Sequence, residues 1–473
     1  MKDITIFGTG LNSTSFAISP EDRLNCYYEV RQGPEGTRYI VQGTPGSQIL
    51  WTLPTGPVRG WRVVGTVLYV VVTGFLFTVS QTGTMVKVGA LSTTSGVVSM
   101  ADTYTQLGIV DGTAGYAYNI ASATLTVITD GNFPNGATTI TVLSSRFIVE
   151  KPNTREFYCS AILDGLTWTY ISLPIFGTKE QYSDLLSAVD AFNGVLILWG
   201  TASIEFWQDA GTSPQPFSLI QGATRTYGLA AKASRAAVNN ELLFLGVGIQ
   251  GGYTIFSTSG YDPKRVSTPD VEALLAQLAI SFTLADAVAM TYSVNGHDMY
   301  QLTFPTANIT LLYAVDTRLW SYTQTGMVKG RHFGQTSVKF AGLTLFCDST
   351  TGNIYQMSTL AYSDAGQPIV RQITSRSIRN GGNEFAITEL QLLMDTGVMP
   401  QGSDYHISLE VSRDGGRTFG SPRPRTMGYV GQYRTPRVKW DRMGSARDFV
   451  LRLTMADPVP FVIAGESIET TAK

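Results

Sequence analysis

Charge is what this sequence has least of. Only 15% of its 473 residues are Asp, Glu, Lys or Arg, and the net charge is −2. Bulk electrostatics therefore cannot hold the whole chain to a polyanion. A surface so poor in charge has to be covered by Thr, Ser, Asn and Gln or by partner subunits, which makes an assembled ring the natural expectation. Cysteine is nearly missing: Cys26, Cys159 and Cys347 are odd in number and far apart. That spacing argues against a disulfide framework and fits synthesis in a reducing compartment. The three histidines, His297, His332 and His406, stand alone, with no His or Cys at metal-ligand spacing. There is no lysine-bearing phosphate loop and no Gly-x-Ser-x-Gly elbow, so no metal, cofactor or catalytic residue is assigned. No long apolar run occurs either. The most apolar window, Trp61 to Val79, is broken by Arg62, Gly65, Thr66, Thr73 and Gly74 and reads as two strands with a turn, not a membrane span. The opening MKDITIFGTGLNST has no basic flank followed by an apolar core, and no secretory signal is expected.

Glycine and aromatic residues are plentiful, at 48 residues and 11%. Turns need the first and pleated faces favour the second, so the class is all-β. The clearest unit is FNGVLILWGTASIEFWQD, Phe192 to Asp209. Its wholly apolar Val195 to Trp199 run suits a strand buried on both faces. After a turn at Gly200 to Ser203, a second strand is expected to have a wetter face, with Glu205 and Trp207 on opposite faces and so at most one of them turned to solvent or a neighbour. Looser copies recur at intervals of about 40 residues, the period of four-stranded blades around a channel. Six or seven blades are expected over 58–376, in preference to a sandwich or mixed barrel. Residues 1–57 read as an arm with one strand, Arg38 to Gln42. One helical insertion is predicted after Thr268, which can cap it, with Pro269 at its first position and Val271, Leu274, Leu275 and Leu278 on one stripe. Past Arg376 the join SIRNGGNEF leads into FAITELQLLMD, YHISLEVSRD, TPRVKWDR and RDFVLRLTM. These alternate apolar and polar residues and predict a β-sandwich over 377–473.

Three motifs bear on chemistry. Ser412, Asp414, Gly416, Thr418 and Phe419 fit the S-x-D-x-G-x-T-F Asp box, a structural hairpin in which the carboxylate accepts backbone N–H bonds and the aromatic packs beneath. Asp164-Gly-Leu-Thr-Trp168 is a shortened variant. Sialidases carry several such boxes, so a sialidase-like or glycan-binding propeller is one alternative, and a monomeric interaction propeller is another. Gly246, Gly248 and Gly251 match G-x-G-x-x-G with Asp270 downstream, but GYTIFSTSG follows where a dinucleotide site needs a helix, so a blade turn is the reading. Between Arg413 and Arg452 there are ten basic residues against Asp414, Asp441 and Asp448. Within this run Arg423, Arg425, Arg434, Arg437, Lys439 and Arg442 form a candidate interface with a neighbouring subunit or partner. Direct DNA contact is the sharper alternative, with no obvious aromatic interleaving beyond Phe419, Tyr429, Tyr433 and Trp440.

Several stretches carry a family likeness: RLNCYYE, GTPG, VSMADTYTQLGIVDG from Val98 to Gly112, FYCSAILDGLTW, and the Phe192 hairpin continuing through PFSLIQGATRTYGLAAKAS. In these the chain resembles the tail hub, or nozzle, proteins of short-tailed bacteriophages, also called packaged-DNA stabilisation proteins. The resemblance implies a non-enzymatic propeller subunit in a six-fold ring at the distal end of the tail, below the portal and adaptor rings. Such a ring closes the DNA exit after packaging, becomes part of the ejection conduit, and holds needle, fibre or spike proteins. It implies a virion-tail location after assembly in the host cytoplasm, with DNA passing through without sequence-specific binding.

If Val195 to Trp199 is doubly buried, Trp199→Ala leaves a cavity costing about 3–5 kcal/mol in denaturant unfolding. A loss below about 1 kcal/mol would show that the strand is misread.

Overall fold

The computed structural model describes residues 2–3, 7–8, 10–11, 19–33, 36–54, 56–248, 250–397, 405–432 and 438–472. Among them, seven antiparallel units follow one another, over 58–90, 99–127, 140–178, 186–219, 227–265, 288–322 and 334–358. Each is built on four strands, with a fifth in the 227–265 unit, where Tyr227–Leu229 and Ala236–Val238 share the partner Glu241–Gly248. In the seventh, three strands come from 334–358 and the fourth is Gly46–Thr52, paired antiparallel with Asn353–Ser358 and flanked by the short Ser363–Asp364 strand. Chain entry and exit thus close the ring in a single sheet. The blades form the β-propeller anticipated above, and the count is seven.

The inner strands explain the abundance of Ser and Thr. Each inner strand has an open edge, and unpaired backbone groups there are costly. Hydroxyls of a neighbouring blade supply many of the partners. Ile140 N donates to Ser99 Oγ at 3.2 Å, Val189 N to Thr139 Oγ1 at 3.1 Å, Ala191 N to Thr141 Oγ1 at 2.9 Å and Thr291 N to Ser337 Oγ at 3.0 Å. Much of the stitching between blades therefore adds no charge, although Arg62–Asp102 and Arg235–Asp190 pairs also bridge neighbouring blades.

Blade 4 contains the Phe192 hairpin. Leu196 and Leu198 face the core shared with blade 3, while Ile197 and Trp199 face the core shared with blade 5. Trp199 is fully buried, 4.6 Å from the Phe244 ring, and its Nε1 donates to Asp190 Oδ2 at 2.7 Å. Over Ile204–Trp207 the second strand has no wet face, and only its last residues, Gln208 and Asp209, are exposed. Glu205 and Trp207, two apart and hence on one face, are both buried, and Trp207 Nε1 donates to Glu205 Oε2 at 3.0 Å. A buried carboxylate needs donors. Glu180 N and Gln181 N provide two at 3.2 and 2.8 Å. Beside it the fully buried Lys179 pairs with Asp184. Burial pushes the Asp184 carboxyl up, but Lys179, the Ala202 N–H and the Ser203 hydroxyl outweigh this and hold it below the usual range. Tertiary donors from the preceding loop, unreadable from strand alternation, turned an apparently wet position inward.

Helix Pro269–Ser281 begins as predicted. Val271 N donates to Thr268 Oγ1 at 3.4 Å, and Val271, Leu274, Leu275 and Leu278 pack on the core of blades 5 and 6.

The leading segment differs from an arm with one strand. It holds Asp22–Leu24, Cys26–Gly33, Gly36–Gly43 and Gly46–Thr52. The Cys26 and Gly36 strands form a hairpin that joins the C-terminal sheet beside Val462–Ala472, followed by Phe385–Met394 and Lys439–Asp441. Asp22–Leu24 lies between blade 6 and the second sandwich sheet. It pairs in parallel through Leu24 with Tyr322, and antiparallel with Arg371–Thr374. The sheet continues through Asp448–Met455, His406–Ser412 and Arg423–Thr426. Between the two sheets Ile387, Leu390, Ile407, Leu409, Trp440, Phe449 and Leu451 form the sandwich core.

Asp364, next to the closing strand, accepts from Ser47 Oγ at 3.3 Å. Burial pushes its carboxyl up to about 7, and pushes His332, 3.7 Å away, down to about 4. A carboxyl protonated when folded but ionised when unfolded weakens the fold as pH rises from about 4 to about 7. Burial of neutral His332 acts in the opposite sense, weakening the fold as pH falls from about 6.5 to about 4. Asp364→Asn should therefore gain stability over the parent at pH 8 by up to about 4 kcal/mol, and much less at pH 4.5. Urea unfolding at the two pH values checks this; equal gains would contradict it.

Candidate assembly interfaces

The Asp box closes on itself. Strand His406–Ser412 ends at Ser412, whose Oγ donates to Asp414 Oδ1 at 2.7 Å and accepts from Gly416 N at 2.8 Å. Gly415 and Gly416 have φ of 75° and 95°, which a side chain would disfavour. Asp414 also accepts from Arg417 N at 3.0 Å, Thr418 N at 3.0 Å and Thr418 Oγ1 at 2.6 Å. The Thr418 hydroxyl first, then Thr418 N and Ser412, hold its carboxyl far below the usual range. Phe419 is half-buried, not tucked beneath the turn: the Arg452 guanidinium lies 3.7 Å over its ring and pairs with Glu410 at 2.8 Å. With both oxygens engaged inside the turn, Asp414 is a structural acceptor.

The shortened variant does the same in blade 3. Asp164 accepts from Leu166 N at 2.9 Å and Thr167 Oγ1 at 2.7 Å, above a fully buried Trp168. Two similar turns were missed in the sequence. Asp111 takes Thr113 N and Ala114 N at 3.0 and 2.8 Å, and Asp348 takes Thr350 N at 2.9 Å and Thr351 Oγ1 at 2.6 Å. Tyr116 and Tyr355 donate to these carboxylates at 3.2 and 2.7 Å. An Asp followed by a hydroxyl residue and then a Tyr was the available signal.

The basic run is divided. Arg423–Thr426 and Lys439–Asp441 are edge strands of the two facing sheets, and the long side chains bridge them. Arg423 Nη2 donates to Asp441 O and Arg425 Nε to Lys439 O, both at 2.8 Å, while Trp440 Nε1 returns a bond to Arg423 O at 2.7 Å. Lys439 pairs with Glu389 at 3.0 Å. These groups satisfy carbonyls at the sandwich edge, a role that a count of charges does not reveal. Arg442 is exposed, at φ 55°. Arg434 and Arg437 lie outside the described residues.

A surface feature that charge counting passes over lies in blade 3. Thr169–Tyr170 and Leu173–Pro174 form a two-residue hairpin with Ile171 and Ser172 at φ 45° and 64°. Such turns favour Asn-Gly, and a β-branched residue there is an outlier. Ile171 is 79% exposed, Leu173 61% and Tyr170 45%, with Ile162 and Leu163 also exposed in the same blade. The base is firm: Asp130 accepts from Trp168 N at 2.6 Å and Thr169 Oγ1 at 2.9 Å. A strained turn thus presents apolar side chains to solvent from a rigid support, as contact surfaces do.

Two protein-family models match the chain. One, described as Bacteriophage P22 Gp10, beta-propeller, covers residues 24–362, and one described as Bacteriophage P22 Gp10, beta-sandwich, covers 370–471. No curated protein matches the sequence. Among solved structures, the extracellular domain of the putative one component system BT4673 from B. thetaiotaomicron is similar at 9% identity and TM-score 0.44, covering 85% of this chain and 48% of that one. The chain thus spans about half the length of that structure. The Neurospora crassa Pan2 WD40 domain is similar at 8% identity and TM-score 0.38, covering 64% and 89%.

Because its depressed pKa reflects bonds made only when folded, Asp414 stabilises the turn above the ordinary carboxylate range, and this is lost as pH falls through its folded value. Asp414→Asn should lower the unfolding midpoint at pH 7 and speed amide exchange at Thr418. Unchanged exchange there would contradict the role.

Proposed function

The chain belongs to the bacteriophage P22 Gp10 family, with propeller and sandwich both matched, and on that premise we propose that this phage tail structural protein is a ring-forming hub. The carrying observation is that the two family models follow each other in order from residue 24 to residue 471. In this reading the hub closes the DNA exit after packaging, becomes part of the ejection conduit and seats needle, fibre or spike proteins. It acts by shape and contact, without catalysis.

The blade 3 hairpin supports a subunit contact. An apolar knob on one side of a disc meets a different surface on its neighbour, and such head-to-tail contacts close into rings. The stated ring is a homo-hexamer attached to the tail adaptor. Low overall charge suits the bore, because strong phosphate pairing would retain a polyanion that has to leave. The internal bonding of Arg423 and Arg425 favours placing the sandwich edge against protein, with Arg442 free to meet adaptor or fibre subunits. Three buried free thiols suit assembly in a reducing host cytoplasm.

Electron microscopy of the purified protein should show closed six-fold rings. Ile171→Asp combined with Leu173→Asp should leave particles of 51.3 kDa with an unfolding midpoint close to the parent, since both side chains are exposed. Rings that survive the double substitution would remove the hairpin from the contact. Rings whose lumen is lined by Arg423, Arg425, Arg434 and Arg437 would contradict the bore assignment.

A further inference from the structure

A cavity of about 160 Å³ opens where the propeller meets the sandwich. Its walls come from the N-terminal hairpin, the blade 6 turn at Asn295, the segment after blade 7 and the loop at Phe461. One water needs only about 10–15 Å³ on this measure, so a molecule of several heavy atoms fits.

Arg371 lines this cavity and is only 1% exposed. Its Nη1 makes one long bond, 3.4 Å to Asp457 O, and its Nε finds no partner. Among the described residues no ion pair at Arg371 is seen. A guanidinium cannot give up its proton under ordinary conditions, and an unpaired buried charge is costly. Asp364, the acid whose charge it senses, is itself pushed up to about 7 by burial, so it offsets that charge only in part. The backbone is shaped around this group: a Cβ at Gly43 would lie 2.4 Å from Arg371 Nε. The mouth is polar but self-satisfied: Asn295 Nδ2 donates to the Tyr27 hydroxyl at 3.3 Å and to Gln42 Oε1 at 3.4 Å, and Tyr27 donates to Gln42 Oε1 at 2.9 Å, which leaves Arg371 as the group in need of a partner. Water could accept from Nε but would leave the charge unbalanced.

We propose that this junction cavity binds one small oxyanion, a carboxylate or phosphate group, through the Arg371 guanidinium. The bound group touches both domains and so tightens their joint. This does not depend on the hub reading.

The test is thermal unfolding of the full chain in chloride, inorganic phosphate or acetate at equal ionic strength. With anion at about ten times its dissociation constant, the parent midpoint should rise by about 1–2 °C above chloride. A rise with phosphate alone assigns a phosphate group, and a rise with both assigns a carboxylate-sized oxyanion; either supports the site. Arg371→Met should be at least as stable as the parent in chloride and lose the anion-dependent rise, while Arg371→Lys keeps part of it. No rise in the parent, or an equal rise in Arg371→Met, overturns the proposal. Should Arg371→Met not fold, Asn295→Asp at the exposed rim serves, because Asp tolerates the left-handed backbone there. It should need at least about fivefold more anion for the same rise, the order expected from one added negative charge near the site, and an unchanged response overturns the proposal.

Discussion

The structure depends on one short insertion, Asp22–Leu24, between the outer strand of blade 6 and the sandwich strand Arg371–Thr374. Without it two sheet edges with unpaired backbone groups would face each other across a gap. Asn25, in the left-handed region at φ 52°, completes the joint. Its Nδ2 donates to Gln324 O and Val370 O at 3.1 and 2.9 Å, and its Oδ1 accepts from Gln324 N at 2.9 Å. Arg23, buried beside it, donates to Trp320 O at 2.6 Å. Further along the same stretch Gly46–Thr52 closes blade 7, so one N-terminal segment secures both the ring of blades and its attachment to the sandwich.

A continuous sheet across a domain boundary has a mechanical consequence. A hydrogen-bonded joint transmits displacement where a flexible linker absorbs it. In the hub role proposed above, such transmission between the two domains would be the useful property. Oxyanion occupancy beside Arg371 would act on this same joint. The blades supply a complementary trait, being stitched largely by hydroxyls and cored by apolar strands, which in the proposed hub would leave few charges to detain a polyanion.

Much of this was legible in the sequence because it is local. The apolar run Val195 to Trp199, the repeat interval, the Thr268 and Pro269 helix start and the Asp box each declare themselves within a few residues. The resemblance to short-tailed phage hub proteins rested on similarly local stretches and is matched by both family models. What escaped is non-local. Nothing near Arg38 shows that its strand pairs with one beyond residue 460, and nothing near Glu205 shows that N–H groups 24 and 25 residues earlier will satisfy it. Arg423 and Arg425 looked free because carbonyl acceptors from a facing strand leave no trace in composition. The exposed hairpin at Ile171 was passed over because apolar residues are read as interior by default.

The central claim is that propeller and sandwich form one body through the N-terminal insertion, and native-state hydrogen exchange tests it most directly. Amides of Leu24, Asn25 and Gln324 should exchange as slowly as those of the sandwich core strand Asp448–Met455, and lose protection together with it as denaturant is raised. Early, independent exchange of these three at rates typical of surface loops would mean that the domains are tethered by a linker, and the account of the joint would be wrong.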